Sequence, residues 1–180
     1  MKRLTPEVQI LLEQKFIPFW LSLKDERYGG FISYVDLDLR RYAKAEKGCI
    51  LNSRILWFFS EAAMLLHTPE LSHAADHAYR FLMRYCVDRK AGGVFWSVTY
   101  DGKPLDTTKH TYNQAFAIYA LSAYYRLTGN PEALQTARQL FQIVEMHCRD
   151  AEGYGESYDR FWNPQSNEKL SENGVMAERT

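Results

Sequence analysis

A period of 62 to 63 residues limits what this chain can fold into more than its composition does. Thr-Pro-Glu stands at 5–7 and 68–70, and Asn-Pro-Glu at 130–132, steps of 63 and 62 residues. Glycines keep the same beat at Gly30, Gly93 and Gly155, each 24 residues after its proline. A fixed period on this scale marks a repeat architecture. Thr or Asn followed by Pro is a helix start, the first residue as N-cap and the proline at the first helical position. The residues that follow have helical periodicity: Val8, Leu11, Leu12, Phe16 and Phe19 in the first unit, Leu134, Ala137, Leu140, Phe141 and Val144 in the third. The spacing predicts amphipathic helices at about 6–23, 69–87 and 131–148, each laying one face on a core.

A glycine-marked loop follows each of these helices: YGGFISYVDLD, AGGVFWSVTYDGKPLD and GYGESYDRFWNP. Asp101-Gly102, after an alternating run, is a hairpin signal, so short β-hairpins are expected in the loops. After the first two loops comes a second kind of helix, at 50–66 and about 112–127, apolar almost all the way round and therefore expected to be buried on every side. Asn52 and Asn113, 61 apart, put both on the same beat, and Thr111 with Gln114 reads as a capping box.

The order outer helix, hairpin loop, inner helix predicts an all-α fold, a toroid of α-hairpins in two layers. Three periods make an arc and not a closed ring. The third unit reaches SENGVMAERT where its inner helix is due. Residues 1–180 are thus expected to be a single domain, the N-terminal part of a longer barrel that has been truncated.

Totals exclude several functions. Lys and Arg number 22, as do Asp and Glu, and no basic stripe interleaves with aromatics, so no nucleic-acid partner is expected. No run approaches the ~20 uninterrupted apolar residues of a membrane span, so no membrane partner is expected either. Cys49, Cys86 and Cys148 are scattered without metal spacing and read as reduced and buried, hence a cytoplasmic protein. His73 and His77 have i,i+4 spacing but no third ligand, and nucleotide and nucleophile-elbow motifs are missing, so no metal site and no cofactor is expected. The chain is rich in Tyr (12) and Trp (4), which suits stacking on sugar faces or a plain core.

If all inner helices open at one mouth, Asn52, Arg54, His110, Tyr112 and Asn113 converge there, a concave apolar site with a few polar groups. Arg54 is the notable member, a full charge within GCILNSRILWFFSEAAMLL. Each residue also has a structural reading. Arg54 can pair with Glu61, Asp36 or Asp38. Tyr112 and Asn113 can be first-turn residues, His110 loop filler, and Trp57, one turn below Arg54, core. His67, His73, His77 and His147 read as solvent or packing residues.

CILNSRILWFFSEA, AGGVFWSVTYDGKPLDTTKHTYNQAFAIYALSAYYRLTGN, ESYDRFWNP and LSENG together resemble the N-acylglucosamine 2-epimerase superfamily and, within it, the cellobiose 2-epimerases. The likeness runs from FIPFW to SENG. It implies an (α/α)6 barrel, in agreement with the repeat, of which this chain supplies about the first half. It also implies cofactor-free epimerisation at C2 of a reducing-end sugar through a cis-enediolate, with a β-1,4-linked disaccharide as small-molecule substrate. N-acylglucosamine or mannose are the alternative substrates within the superfamily. On that resemblance Arg54 is catalytic, holding the oxygen that becomes anionic, and His110, Tyr112, Asn113 and Trp57 bind substrate. The family's acid–base histidines lie on later inner helices, and none of the five histidines here matches them, so the chain alone is expected to be inactive.

Two rivals remain open at the level of sequence. A glycosidase on the same barrel needs two carboxylates, for which Asp36, Asp106 and Glu172 are available. A helical scaffold is the other, although the period does not fit the common helical repeats.

Overall fold

The structure, a computed structural model, describes residues 5–166. Its helices alternate between two layers as the period predicts. The first outer helix, α1, comprises Pro6–Leu11, a π-helical turn Leu12–Phe16, and Ile17–Ser22. The inner helix α2 is Cys49–Leu66, and the outer α3 is Pro69–Phe81 with a π-helical last turn Leu82–Cys86. The inner α4 is Thr111–Thr128 and the outer α5 is Pro131–His147. α2 packs on α3 and α4, and α4 packs on α5, the arrangement of a partial (α/α)6 toroid, about half the ring.

Prolines start the three outer helices. Of their N-caps only Asn130 uses its side chain, accepting from the N–H groups of Glu132 and Ala133 at 2.9 and 3.4 Å. Thr5 and Thr68 make no side-chain cap. The inner helices end on left-handed residues, His67 (φ 56°) and Gly129 (φ 69°), a conformation that glycine adopts at little cost. Alanines line the packed faces, with Ala74, Ala75 and Ala78 on α3 and Ala117, Ala120 and Ala123 on α4 all buried. Small residues there let the helix backbones come close, and Phe31, Leu56, Phe59, Leu82 and Leu121 fill the space between.

Three expectations are corrected. The Thr111–Gln114 capping box does not form: the Thr111 hydroxyl donates to the Gly155 carbonyl at 2.6 Å, and Gln114 is bonded elsewhere. The inner helices are not buried all round: α2 exposes Arg54, and α4 exposes Tyr112 and Tyr119. α2 is in fact long and apolar enough, by length and composition alone, to cross a membrane; it carries Asn52, Arg54 and Glu61, and half of it is buried in this fold.

The hairpin at Asp101-Gly102 does form, joining β2 (Ser97–Val98) to β3 (Pro104–Asp106) with Gly102 at φ 90°. The other strand pairs join successive units. β1 (Lys47–Gly48) pairs with β2, and β4 (Lys109–His110) with β5 (Ser157–Tyr158). The strand leading into each inner helix is therefore held by the loop of the following unit. That loop also supplies a backbone cap: Cys49 N–H donates to the Trp96 carbonyl and Thr111 N–H to the Glu156 carbonyl, both at 3.0 Å. Backbone carbonyls thus take a first-turn N–H that neither Gly48 nor His110 could cap with a side chain.

Candidate active site

The beat has a chemical basis at the loop entrances. After α1, Asp25 Oδ1 accepts from the N–H groups of Arg27 and Tyr28, and the turn closes between Asp25 and Gly30. After α3, Asp88 Oδ1 does the same for Lys90 and Ala91, and the turn closes between Asp88 and Gly93. Gly30 (φ 65°) and Gly93 (φ 74°) take a left-handed backbone there. Gly155 keeps the beat for another reason, since its φ is not left-handed and an added Cβ would run into the Tyr158 hydroxyl. Asn52 Oδ1 accepts the Phe31 N–H at 3.1 Å, and Gln114 Oε1 accepts the Val94 N–H at 2.7 Å. The structural counterpart of Asn52 is therefore Gln114, not Asn113.

Each loop is also closed by an ion pair with almost no solvent contact. Lys47 Nζ reaches Asp25 Oδ2 at 2.7 Å and the Gly29 carbonyl at 2.6 Å. Lys109 Nζ reaches Asp88 Oδ2 at 3.1 Å. Both lysine side chains have 0% exposure. Arg160, from the third loop, adds a two-toothed bond to Asp88 at 2.8 and 2.9 Å. Burial pushes Lys109 down to about 8, against the pull of Asp88. Burial also acts to raise Asp88, but Arg160, the Lys90 N–H and Lys109 outweigh it and hold its carboxyl well below the usual range. None of these five charged residues was singled out from the sequence. The signal was available, for Asp25, Asp88 and Asp150 are 63 and 62 apart and Lys47 and Lys109 are 62 apart.

These locked loops deliver the heads of α2 and α4 side by side. Arg54 is exposed and, among the described residues, has no carboxylate partner. Glu61 pairs instead with Arg126, and Asp36 accepts from the Tyr42 hydroxyl and the N–H groups of Asp38 and Arg40. The Arg54 guanidinium lies over the Phe116 ring, 5.4 Å from its centroid, and the edge of Tyr112 meets the same ring at 4.9 Å. One turn deeper, Trp57 stacks on Tyr119 at 5.3 Å and 24°. Arg54, Tyr112 and Trp57 thus come together along the α2–α4 seam. A cleft of about 270 Å³ opens beside Arg54, lined by Trp20, Leu51, Arg54, Ile55, Trp57 and Phe58.

His110 and Asn113 sit apart from that open face, both with 0% exposure. Asn113 donates to the Phe95 carbonyl at 2.7 Å, and its Oδ1 is buried without a partner among the described residues. The His110 ring packs against Trp96 at 4.5 Å, with Nδ1 3.5 Å from Glu156 Oε1. Glu156 was not foreseen. Its carboxylate is buried and accepts the Tyr112 N–H at 3.2 and 3.3 Å, a negative charge at the positive end of α4. In this arrangement Arg54, Tyr112 and part of Trp57 reach the open face, while His110 and Asn113 are buried behind it. Asp106 is engaged with Thr108, and Glu172 lies outside the described residues.

The chemistry on offer is one exposed, unneutralised cation beside stacked aromatic rings. A cation so placed stabilises an oxyanion, and the rings suit the apolar face of a sugar. Among the described residues no histidine faces the Arg54 cleft.

The profile of the N-acylglucosamine 2-epimerase (GlcNAc 2-epimerase) family matches residues 29–177. The chain is 56% identical over 169 residues to the cellobiose 2-epimerase of Eubacterium cellulosolvens, covering 94% of this chain and 42% of that one. It superposes on the cellobiose 2-epimerase of Bacillus thermoamylovorans with a TM-score of 0.93 at 45% identity, covering 97% of this chain and 45% of that one. A family 76 mannosidase of Bacteroides thetaiotaomicron shares the fold alone, with a TM-score of 0.56 at 17% identity over 63% of this chain and 30% of that one. The chain spans a little under half the length of the epimerases it matches.

Proposed function

The chain belongs to the N-acylglucosamine 2-epimerase family, and we propose that it forms the arginine-bearing half of a site that epimerises the reducing-end sugar of a β-1,4-linked disaccharide at C2. The observation that carries this reading is Arg54: a cation at the head of an inner helix, exposed, without an acidic partner among the described residues, and steadied on Phe116. With no acid to neutralise it, this cation is available to meet negative charge.

The reaction starts from the ring-opened sugar. Removal of the proton on C2, beside the C1 carbonyl, leaves a cis-enediolate, and return of a proton to the opposite face gives the epimer. Arg54 stands against the oxygen that gains charge, where loss of one such donor typically costs roughly 10²–10³ in kcat. Trp57 and Tyr119 form an aromatic floor for a sugar ring, with Tyr112 at the entrance. His110 and Asn113 act from behind, holding the head of α4 through Trp96, Phe95 and Glu156. The two groups that move protons belong to the part of the family's barrel with which this chain does not align.

The test is incubation of the purified chain with cellobiose in D₂O, followed by NMR, with disaccharide binding read in parallel from tryptophan fluorescence. Deuterium at C2 with glucosyl-mannose is the full result. Saturable binding of cellobiose that is lost in Arg54→Met, without exchange, is the result expected of the half-site. Binding of mannose or N-acetylglucosamine in preference to cellobiose moves the substrate within the superfamily. Failure to bind any of these sugars overturns the reading.

A further inference from the structure

The outer layer carries a second cleft, of about 330 Å³, between the turn after α1 and the C-terminal half of α3. Three arginines line it: Arg27 from the turn, and Arg80 and Arg84 from successive turns of α3. Among the described residues none of the three has a carboxylate partner. Asp101, in the wall of the cleft itself, pairs with Lys103 at 3.5 Å; outside it Glu26 pairs with Lys24 at 2.8 Å, and Asp76, one turn before Arg80, accepts from the Tyr124 hydroxyl at 2.6 Å. Asp101 also accepts from the Thr99 hydroxyl. Arg80 and Arg84 are i,i+4 neighbours of like charge, an arrangement that destabilises a helix unless something offsets it.

The walls are built. The Arg27 guanidinium lies 5.0 Å over the Tyr28 ring, and that of Arg84 lies 5.2 Å over Tyr85. Tyr28 is held edge-on by Tyr100 at 4.9 Å, and Tyr85 is pinned by Phe81 at 5.2 Å and by Gly102, where no Cβ would fit. His77, also in the wall, donates from Nε2 to the Gly30 carbonyl at 2.9 Å. All three arginines are exposed, and two of them rest on tyrosines that neighbouring rings hold, which lowers the entropy cost of binding.

We propose that this cleft binds a phosphate-bearing small molecule, with the phosphate among Arg27, Arg80 and Arg84. Planar guanidinium forks match phosphate oxygens two at a time, and three of them suit a dianion better than a single carboxylate. The cleft exceeds what a bare phosphate fills and has room for a sugar-sized remainder beside Tyr28 and Tyr85. The site is separate from the Arg54 cleft and does not depend on the epimerase reading.

The experiment titrates the chain at low ionic strength with inorganic phosphate and, separately, a hexose phosphate, read by calorimetry and by ³¹P line broadening. Saturable binding is expected, with affinity falling roughly tenfold or more in Arg80→Gln/Arg84→Gln and in Arg27→Gln, and unchanged in Lys90→Gln. Arg27 lies outside α3, so its variant still reports if the helix variant fails to fold. Tighter binding of the hexose phosphate identifies a sugar-phosphate site, and equal binding a free-phosphate site. No saturable binding of either, or equal affinity in wild type and the arginine variants, overturns the proposal.

Discussion

Replacing Asp88 with Ala is the most severe single test of how the loops are held. The wild-type carboxylate neutralises Lys109, which has 0% side-chain exposure, and receives Arg160, whose side chain is 31% exposed. It also satisfies the N–H groups of Lys90 and Ala91. Arg160 can turn to solvent in the variant, so little of the cost comes from it. Lys109 has no such exit. It lies 4.5 Å over the Phe95 ring, under β4, and without its counterion must either stay a buried ammonium or give up its proton, each at a cost. Removing one partner of a buried pair typically costs about 3–5 kcal/mol, a large fraction of the ~5–15 kcal/mol that holds a domain together. Urea unfolding followed by circular dichroism at neutral pH reads this directly. The double variant Asp88→Ala/Lys109→Met removes both charges and should recover roughly half or more of the loss, because the penalty lies in the orphaned charge. A loss below about 1 kcal/mol in the single variant, or a double variant no better than the single, would refute the reasoning.

Other outcomes follow from the same geometry. Gly30→Ala combines a φ of 65° with a Cβ that would lie 2.6 Å from Phe81 Cγ and 2.8 Å from Asn52 Oδ1, so it should cost roughly 2–3 kcal/mol in a chemical melt. Gly129→Ala has the same hand of φ but nothing within 4 Å, and should cost only about 1 kcal/mol. Arg54→Met, with no ion pair to break, should leave stability within about 0.5 kcal/mol of wild type while abolishing sugar binding. Lys109 titrates near 8 in the fold against 10.5 when free, so the unfolded state holds more protons between those values and its penalty fades as pH rises through them. The buried thiols of Cys49 and Cys148, raised above their ordinary value, act in the opposite sense as the unfolded chain ionises. The clean measurement is therefore the stability difference between wild type and Lys109→Met, which should move in favour of wild type by up to about 3 kcal/mol from pH 7 to beyond 10.

The layered repeat was legible because its punctuation is covalent in origin. Proline has no N–H and glycine no Cβ, so both fix the backbone wherever the fold puts them, and helical periodicity followed between them. What was misread depends on partners distant in sequence. Asn52 and Asn113 look equivalent along the chain, but the residue that meets the loop backbone in the second unit is Gln114, longer by one methylene and two positions after Tyr112. The inner helices read as buried on all sides because Trp57, Phe116 and Tyr119 are apolar, whereas in the fold they line an open face. His110, read as a pocket residue from its neighbours in HTYN, is fully buried in β4 against Trp96, a placement set by the third loop and not visible along the chain.

The buried lysines explain how variable loops can sit at a precise mouth. Asp25 and Lys47 bracket one loop, Asp88 and Lys109 the other, and each pair fixes both ends of the segment between them whatever shape that segment takes. The segments differ: residues 32–45 fold on Asp36 with a bridge from Val35 to Arg41, while residues 95–108 form the β2–β3 hairpin. An apolar pair at these positions would also fill space, but it would not orient a turn whose N–H groups need an acceptor. Aspartate serves the turn with one oxygen and the lysine with the other. The charge that costs stability at Lys109 thereby fixes the strand that enters α4, and with it the position of Tyr112 opposite Arg54. On this reasoning the loops between the locks can vary without moving Arg54.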